Sequence, residues 1–212
     1  MGKIRKGILG GFAGKVGTVI GSTWKGIDYM RSLPGKRKAA SSQKQVEQQA
    51  KFGLVAQLIQ SLKDVIVIGF KDQAVRKTEV NSALAYTLKN AVTGTYPGFT
   101  VDYSQVKVSR GSLPNAVSPT AEAATDNTIF FNWTDNSGMG KAKAGDKAIL
   151  VAYCEALDHT LYSVEGERNA ENGILPVAMF TGQVVHTWIS FLSMDGKDVA
   201  SSIYTGRLTI NP

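Results

Sequence analysis

The chain has 212 residues, 43% of them apolar, and a formal net charge of +7. That length suits one large or two small domains of roughly 100–150 residues, with apolar surface enough for a core. A single cysteine, Cys154, excludes an internal disulfide and leaves a cysteine-based zinc site without partners.

The charge is unevenly placed. Residues 1–51 carry eleven Lys/Arg against Asp28 and Glu47, a net +9, and the rest of the chain is slightly acidic. A cationic arm on a near-neutral body calls for an acidic partner: nucleic acid, or an acidic face of a neighbouring subunit. The cations are Lys3, Arg5, Lys6, Lys15, Lys25, Arg31, Lys36, Arg37 and Lys38, with Lys44 and Lys51 further on. Glycines 7, 10, 11, 14 and 17 and Lys15 interrupt any apolar signal-peptide core, so the expected location is the cytoplasm. No uncharged run reaches the roughly 20 residues of a membrane span.

Residues 7–35 alternate glycine with β-branched and aromatic residues, which predicts two short strands near 16–23 and 27–33, turned at Lys25-Gly26. Glycine inside a strand weakens it unless another backbone comes close. The ribbon is therefore expected to pack against another molecule, with Trp24, Tyr29, Ile27 and Val19 as its partner-binding residues. Trp24 and Tyr29, lying among cations, could also stack on bases, but anchoring in a neighbouring subunit is the preferred reading.

A basic linker, Lys36 to Ala40, precedes a helix capped by Ser41 or Ser42. Val46, Ala50, Leu54, Leu58 and Leu62 recur at helical spacing. Val65-Ile66-Val67-Ile68 either extends this helix or forms a short strand. A second helix is predicted from about Thr78 to Val92, stopped by Gly94, and the two helices are expected to pair antiparallel.

From residue 100 the pattern has period two. Strands are predicted at 101–103, 106–108, 129–133, 148–153, 160–162, 175–179, 184–192 and 204–210, with turns at Asp126-Asn127, Asp135 to Gly138 and Asp195-Gly196. The expected fold is α+β, mostly β. It comprises a glycine-rich ribbon (1–40), a helical region of two helices (41–99) and an antiparallel β-sandwich (100–212).

Ile129, Phe131 and Trp133, then Leu150, Ala152 and Tyr153, then Trp188 to Gly196 leading to Ser201-Ser202, resemble a fibronectin type III or immunoglobulin-like module. That resemblance implies a spacer, binding module or assembly unit. Gly11-Phe12-Ala13-Gly14-Lys15-Val16-Gly17-Thr18-Val19-Ile20-Gly21, Trp24-Lys25-Gly26, Tyr29-Met30-Arg31-Ser32, Ser42, Gln45 and Phe52 resemble the DUF6266-type family of unknown function, found mainly in Bacteroidota. The similarity continues through Tyr86, Lys89-Asn90 and Tyr103. The same strand, glycine turn, strand and Gln-rich helix is similar to bacteriophage-type structural proteins. Together these resemblances imply a phage-like or virion-like structural component, a homo-oligomer or part of a larger assembly.

Catalytic chemistry finds little support in the residues. Gly14-Lys15 lacks the upstream glycine and the Ser/Thr of a phosphate loop. His159 and His186 have no Gly-x-Ser-x-Gly elbow beside them and are read as structural or surface residues. The acids Glu165/Glu167 and Asp195/Asp198 are read as solvated loops, and Asp135-Asn136 with Asp146 lacks EF-hand spacing. Cys154 is read as a buried strand residue. The chain is therefore expected to be no enzyme, with no catalytic residue, no metal, no cofactor and no small-molecule substrate. Its partners are expected to be protein subunits, or, alternatively, nucleic acid held by the arm.

Overall fold

The run Ala148-Ile149-Leu150-Val151-Ala152-Tyr153-Cys154 has no polar residue to turn toward water, so it must be covered on both faces. In the computed structural model, which describes residues 3–4, 12–24, 26–35, 40–73 and 77–211, it is covered in that way. The strand β9 (Lys147–Cys154) sends Ala148, Leu150, Ala152 and Cys154 into one core and Ile149, Val151 and Tyr153 into another.

The chain divides into two units, Met1–Ser42 and Gln43–Pro212. The first holds a four-stranded antiparallel meander, β1 (Lys3–Ile4), β2 (Phe12–Val16), β3 (Val19–Trp24) and β4 (Ile27–Ser32), paired in that order. The predicted strand 16–23 is in fact broken by a turn at Gly17-Thr18. Gly17, at φ +59°, adopts the left-handed geometry of a tight hairpin, and β2 precedes it as an extra strand. The turn at Lys25-Gly26 lies where predicted as far as Gly26, at φ +79°; Lys25 lies outside the described residues.

In the second unit the helices come first: α1 (Gln43–Ser61), α2 (Lys63–Gly69) and α3 (Glu79–Asn90). Val55, Leu58 and Ile59 form the buried stripe of α1, and Leu62 at the junction and Val65 and Ile66 in α2 continue it after a bend of 81°. The open choice at residues 65–68 is thus settled as helix. Gly69 ends α2 against the chain at residues 108–109, where a β-carbon would lie 2.4 Å from the Val108 carbonyl oxygen. Thr78 caps α3, its Oγ1 accepting from the Asn81 N–H at 3.2 Å. No single helix among the described residues is long and apolar enough to cross a membrane.

A small hairpin of β5 (Val92–Thr93) and β6 (Thr100–Val101) leads to the sheets. One sheet pairs β10 (His159–Glu167), β9, β12 (Val184–Leu192) and β13 (Ile203–Thr209). The other pairs β11 (Asn172–Pro176), β8 (Thr128–Thr134) and β7 (Val117–Ala123), and every pairing is antiparallel. The sheets face each other across Ile129, Phe131, Trp133, Leu150, Phe180, Ile189 and Phe191, giving a sandwich-like body. The outer face of the four-stranded sheet, with Ile149, Val151, Tyr153 and Trp188, packs on Val55, Ile59, Leu62, Ile66 and Phe70. The helices therefore share a core with the sheet beyond shielding one another. Helices, four-stranded sheet and three-stranded sheet form three layers.

Residues 106–108 form no strand. The Val108 and Ser109 N–H groups donate to Ser202 Oγ, and the Val106 carbonyl accepts from the Trp188 indole at 3.2 Å. Side chains thus take the place of a ladder. Residues 177–179 likewise leave the sheet: β11 ends at Pro176, and Ala178–Phe180 form a 3-10 turn that seats Phe180 in the core.

Candidate functional site

Antiparallel register decides which ribbon residues share a face. Trp24 pairs with Ile27, Ser22 with Tyr29, Ile20 with Arg31, and Lys15 with Ile20. Trp24, Ile27, Tyr29, Arg31 and Lys15 therefore lie on one face. The first three wall a concavity of about 340 Å³, and Ile27 is 60% exposed. The apolar and cationic parts of the expected site thus form one surface, apolar at the Gly26 end and basic toward the other.

Val19 belongs to the opposite face, with Val16, Gly21 and Met30, and is half-buried there. Of the four predicted partner-binding residues, three converge and Val19 does not. Phe12 covers Gly21, where a β-carbon would sit 2.1 Å from the Phe12 carbonyl oxygen, so this glycine is a requirement of ribbon packing. Thr23 Oγ1 donates to Asp28 Oδ1 at 2.5 Å, pinning the only acid of the hairpin on the face away from Trp24. All six residues of β4 are exposed, and β4 is an edge of its sheet. Met30, 71% exposed, is absent from the anchors expected from the sequence and lies on the face opposite Trp24.

Arg5, Lys6, Lys25, Lys36, Arg37 and Lys38 lie outside the described residues. Lys3 begins β1, where its backbone pairs with Ala13.

In the body, His186 lies on β12 with its ring stacked on Tyr103 at 3.8 Å and Nδ1 2.8 Å from the Tyr204 hydroxyl. Burial, helped by the Arg207 charge, pushes its pKa down to about 4, so the ring is neutral at pH 7. Burial also raises the Tyr103 and Tyr153 hydroxyls, Tyr103 further through Glu155. Tyr153 donates to Asp158 Oδ1 at 3.0 Å, and Gln57 donates to Asp158 Oδ2 at 3.0 Å, tying α1 to the β9–β10 turn. The cluster ends in hydrogen-bonded phenols and stacked rings, an arrangement suited to joining layers.

Arg168 is fully buried and paired with Asp146, Nη2 to Oδ2 at 3.2 Å. It also donates to Asn136 Oδ1 at 2.7 Å and the Pro114 carbonyl at 2.9 Å, and lies 4.1 Å over the Phe191 ring. This pair bolts three loops to the end of the sandwich. Asp135, Asn136 and Asp146, weighed above as calcium ligands, take part in this bolt or its flanking turn. Among the described residues no group of three or more His, Cys, Asp or Glu side chains is placed to hold a metal. His159 is exposed at the start of β10, and Cys154 is buried between the sheets.

Ribbon and body together define a mostly β protein of antiparallel sheets, with the three α-helices of the described residues laid on one of them. The model of a family of unknown function, DUF6266, matches residues 11–206, and the chain belongs to that family. Comparison with curated proteins finds no match.

Proposed function

We propose that this is a non-enzymatic structural protein of a larger assembly, phage-derived or virion-like, which docks on neighbouring subunits through its N-terminal ribbon. The observation that carries this reading is the face bearing Trp24, Ile27 and Tyr29. It is an apolar patch on a small, glycine-rich sheet, left open to solvent and bordered by Lys15 and Arg31. Aromatic anchors of this kind, rimmed by charge, are what protein interfaces bury. The free edge at β4 adds a row of backbone groups able to take another strand. The body, on this reading, is an immunoglobulin- or fibronectin type III-like spacer, and the assembly forms in the cytoplasm.

Sedimentation velocity on the full chain tests the proposal. The native protein is expected to associate, and Ile27→Lys with Tyr29→Ser is expected to return it to monomer with an unchanged circular dichroism spectrum. A native chain that stays monomeric at high concentration overturns the self-assembly form of the proposal.

The N-terminal charge supports a second reading, in which Lys15, Arg31 and the other basic residues of the arm neutralise phosphates of nucleic acid. Anisotropy with a random duplex and a single strand at low salt separates the two. Binding that falls steeply with salt and is weakened by Lys15→Gln and Arg31→Gln favours nucleic acid.

A further inference from the structure

The close approach of Gly69 to residues 108–109 has an effect at the surface. It brings Arg110 to the end of α2, where the Arg110 N–H donates to the Gly69 carbonyl at 2.8 Å. The Arg110 guanidinium then lies 5.2 Å over the Tyr86 ring of α3, held by the attraction of a cation to an aromatic face. A cavity of about 340 Å³ opens here, and Lys77, Lys89 and Arg110 all line it. Gln73 and Asn90 line it too, the amide of Asn90 anchored by donating to the Tyr86 carbonyl at 2.7 Å.

No carboxylate is among the described residues lining this cavity. The acids of the flanking elements, Asp72 and Glu79, stay out of it, and Asp72 Oδ2 lies beside Gly111 instead. Lys89 and Arg110 both line this concavity, so an anion entering it gains charge-assisted hydrogen bonds from two cations. Arg supplies a planar fork suited to a phosphate, and Lys89 supplies a point charge. The volume lies at the small end of ligand pockets, enough for a phosphate group with a compact organic body.

We infer that the cavity between the end of α2, α3 and Arg110 binds a small phosphate monoester. The charged group sits at Lys89 and Arg110, and the organic part lies toward Phe70 and Tyr86. The inference does not depend on how the ribbon is used.

Calorimetric titration of the full chain with ribose 5-phosphate, inorganic phosphate and ribose tests it. Ribose 5-phosphate is expected to bind saturably with a dissociation constant on the order of 1 mM or tighter, inorganic phosphate more weakly, and ribose not at all. Arg110→Gln and Lys89→Gln are each expected to weaken ribose 5-phosphate by roughly tenfold, the loss of one charge-assisted contact. Lys143→Gln, elsewhere on the body, is expected to change nothing. Arg110→Lys, which keeps the charge and lacks the fork, is expected to fall between wild type and Arg110→Gln, and thermal melts confirm that each variant folds. Absence of saturable binding overturns the inference. So does binding that survives Arg110→Gln but is lost in Lys15→Gln with Arg31→Gln, which would assign the phosphate affinity to the ribbon.

Discussion

In β12 seven of nine residues are buried, and in β4 none of six is. Both strands follow the same alternation and the same antiparallel pairing, yet β12 has a layer on each side. The difference shows where stability and availability reside. Burial of apolar area stabilises at about 25 cal/mol per Å², and the body gains it on both faces of its central sheet. The ribbon leaves Ile27, Tyr29 and Met30 in water, so that part of its hydrophobic free energy is still to be gained on contact with something else.

The sharpest way to break the contrast is at the buried Arg168–Asp146 pair. Arg168→Ala strands the buried Asp146 carboxylate and two other acceptors, Asn136 Oδ1 and the Pro114 carbonyl. It is expected to cost the body about 3–5 kcal/mol, read from urea unfolding, while hydrogen exchange of β2 to β4 stays unchanged.

Next comes acidity. The His186 pKa is lowered in the folded state to about 4 from an ordinary 6.5. Below pH 6.5 the unfolded chain takes up a proton that the folded chain refuses, so stability falls as pH drops from 6.5 to 4 and levels off beneath that. The full effect is on the order of 3 kcal/mol. His186→Phe is expected to flatten that limb of the stability-versus-pH curve.

Gly21→Ala reverses the test. Its β-carbon would meet the Phe12 carbonyl, so exchange of residues 12–32 is expected to speed up, by a local cost of about 1–3 kcal/mol, with the body's unfolding midpoint unmoved. The smallest effect is Ile27→Ser. Truncating this exposed side chain is expected to change unfolding by less than about 0.5 kcal/mol while weakening association, which separates its use from its contribution to the fold.

Much of this layout is legible in the residues, and the misses have causes. Thr78 marks the start of α3 because capping is local chemistry, and the observed helix, Glu79–Asn90, lies within the predicted 78–92. Val65 to Ile68 is ambiguous because a short apolar run fits helix or strand; packing against Val151 and Trp188 decides it. β7 is missed because Pro119 and a bulge, with Ser118 at φ +47°, break its alternation. The ribbon's aromatic face follows from placing the turn at Gly26, whereas Val19, five residues before Trp24 in the same strand, alternates onto the opposite face. The cationic cavity around Arg110 is not legible at all. Its residues are scattered from 70 to 110, and only the seating of Gly69 on residues 108–109 brings them together.

Cys154 sits fully shielded between the two sheets, at the end of β9. Its sulfur meets reagent only when the sandwich opens, so the rate of alkylation by a small thiol reagent serves as a clock for that opening. One native atom thus reports on the parting of the layers without labels or engineered probes, and a ligand or partner that clamps the body would slow the clock.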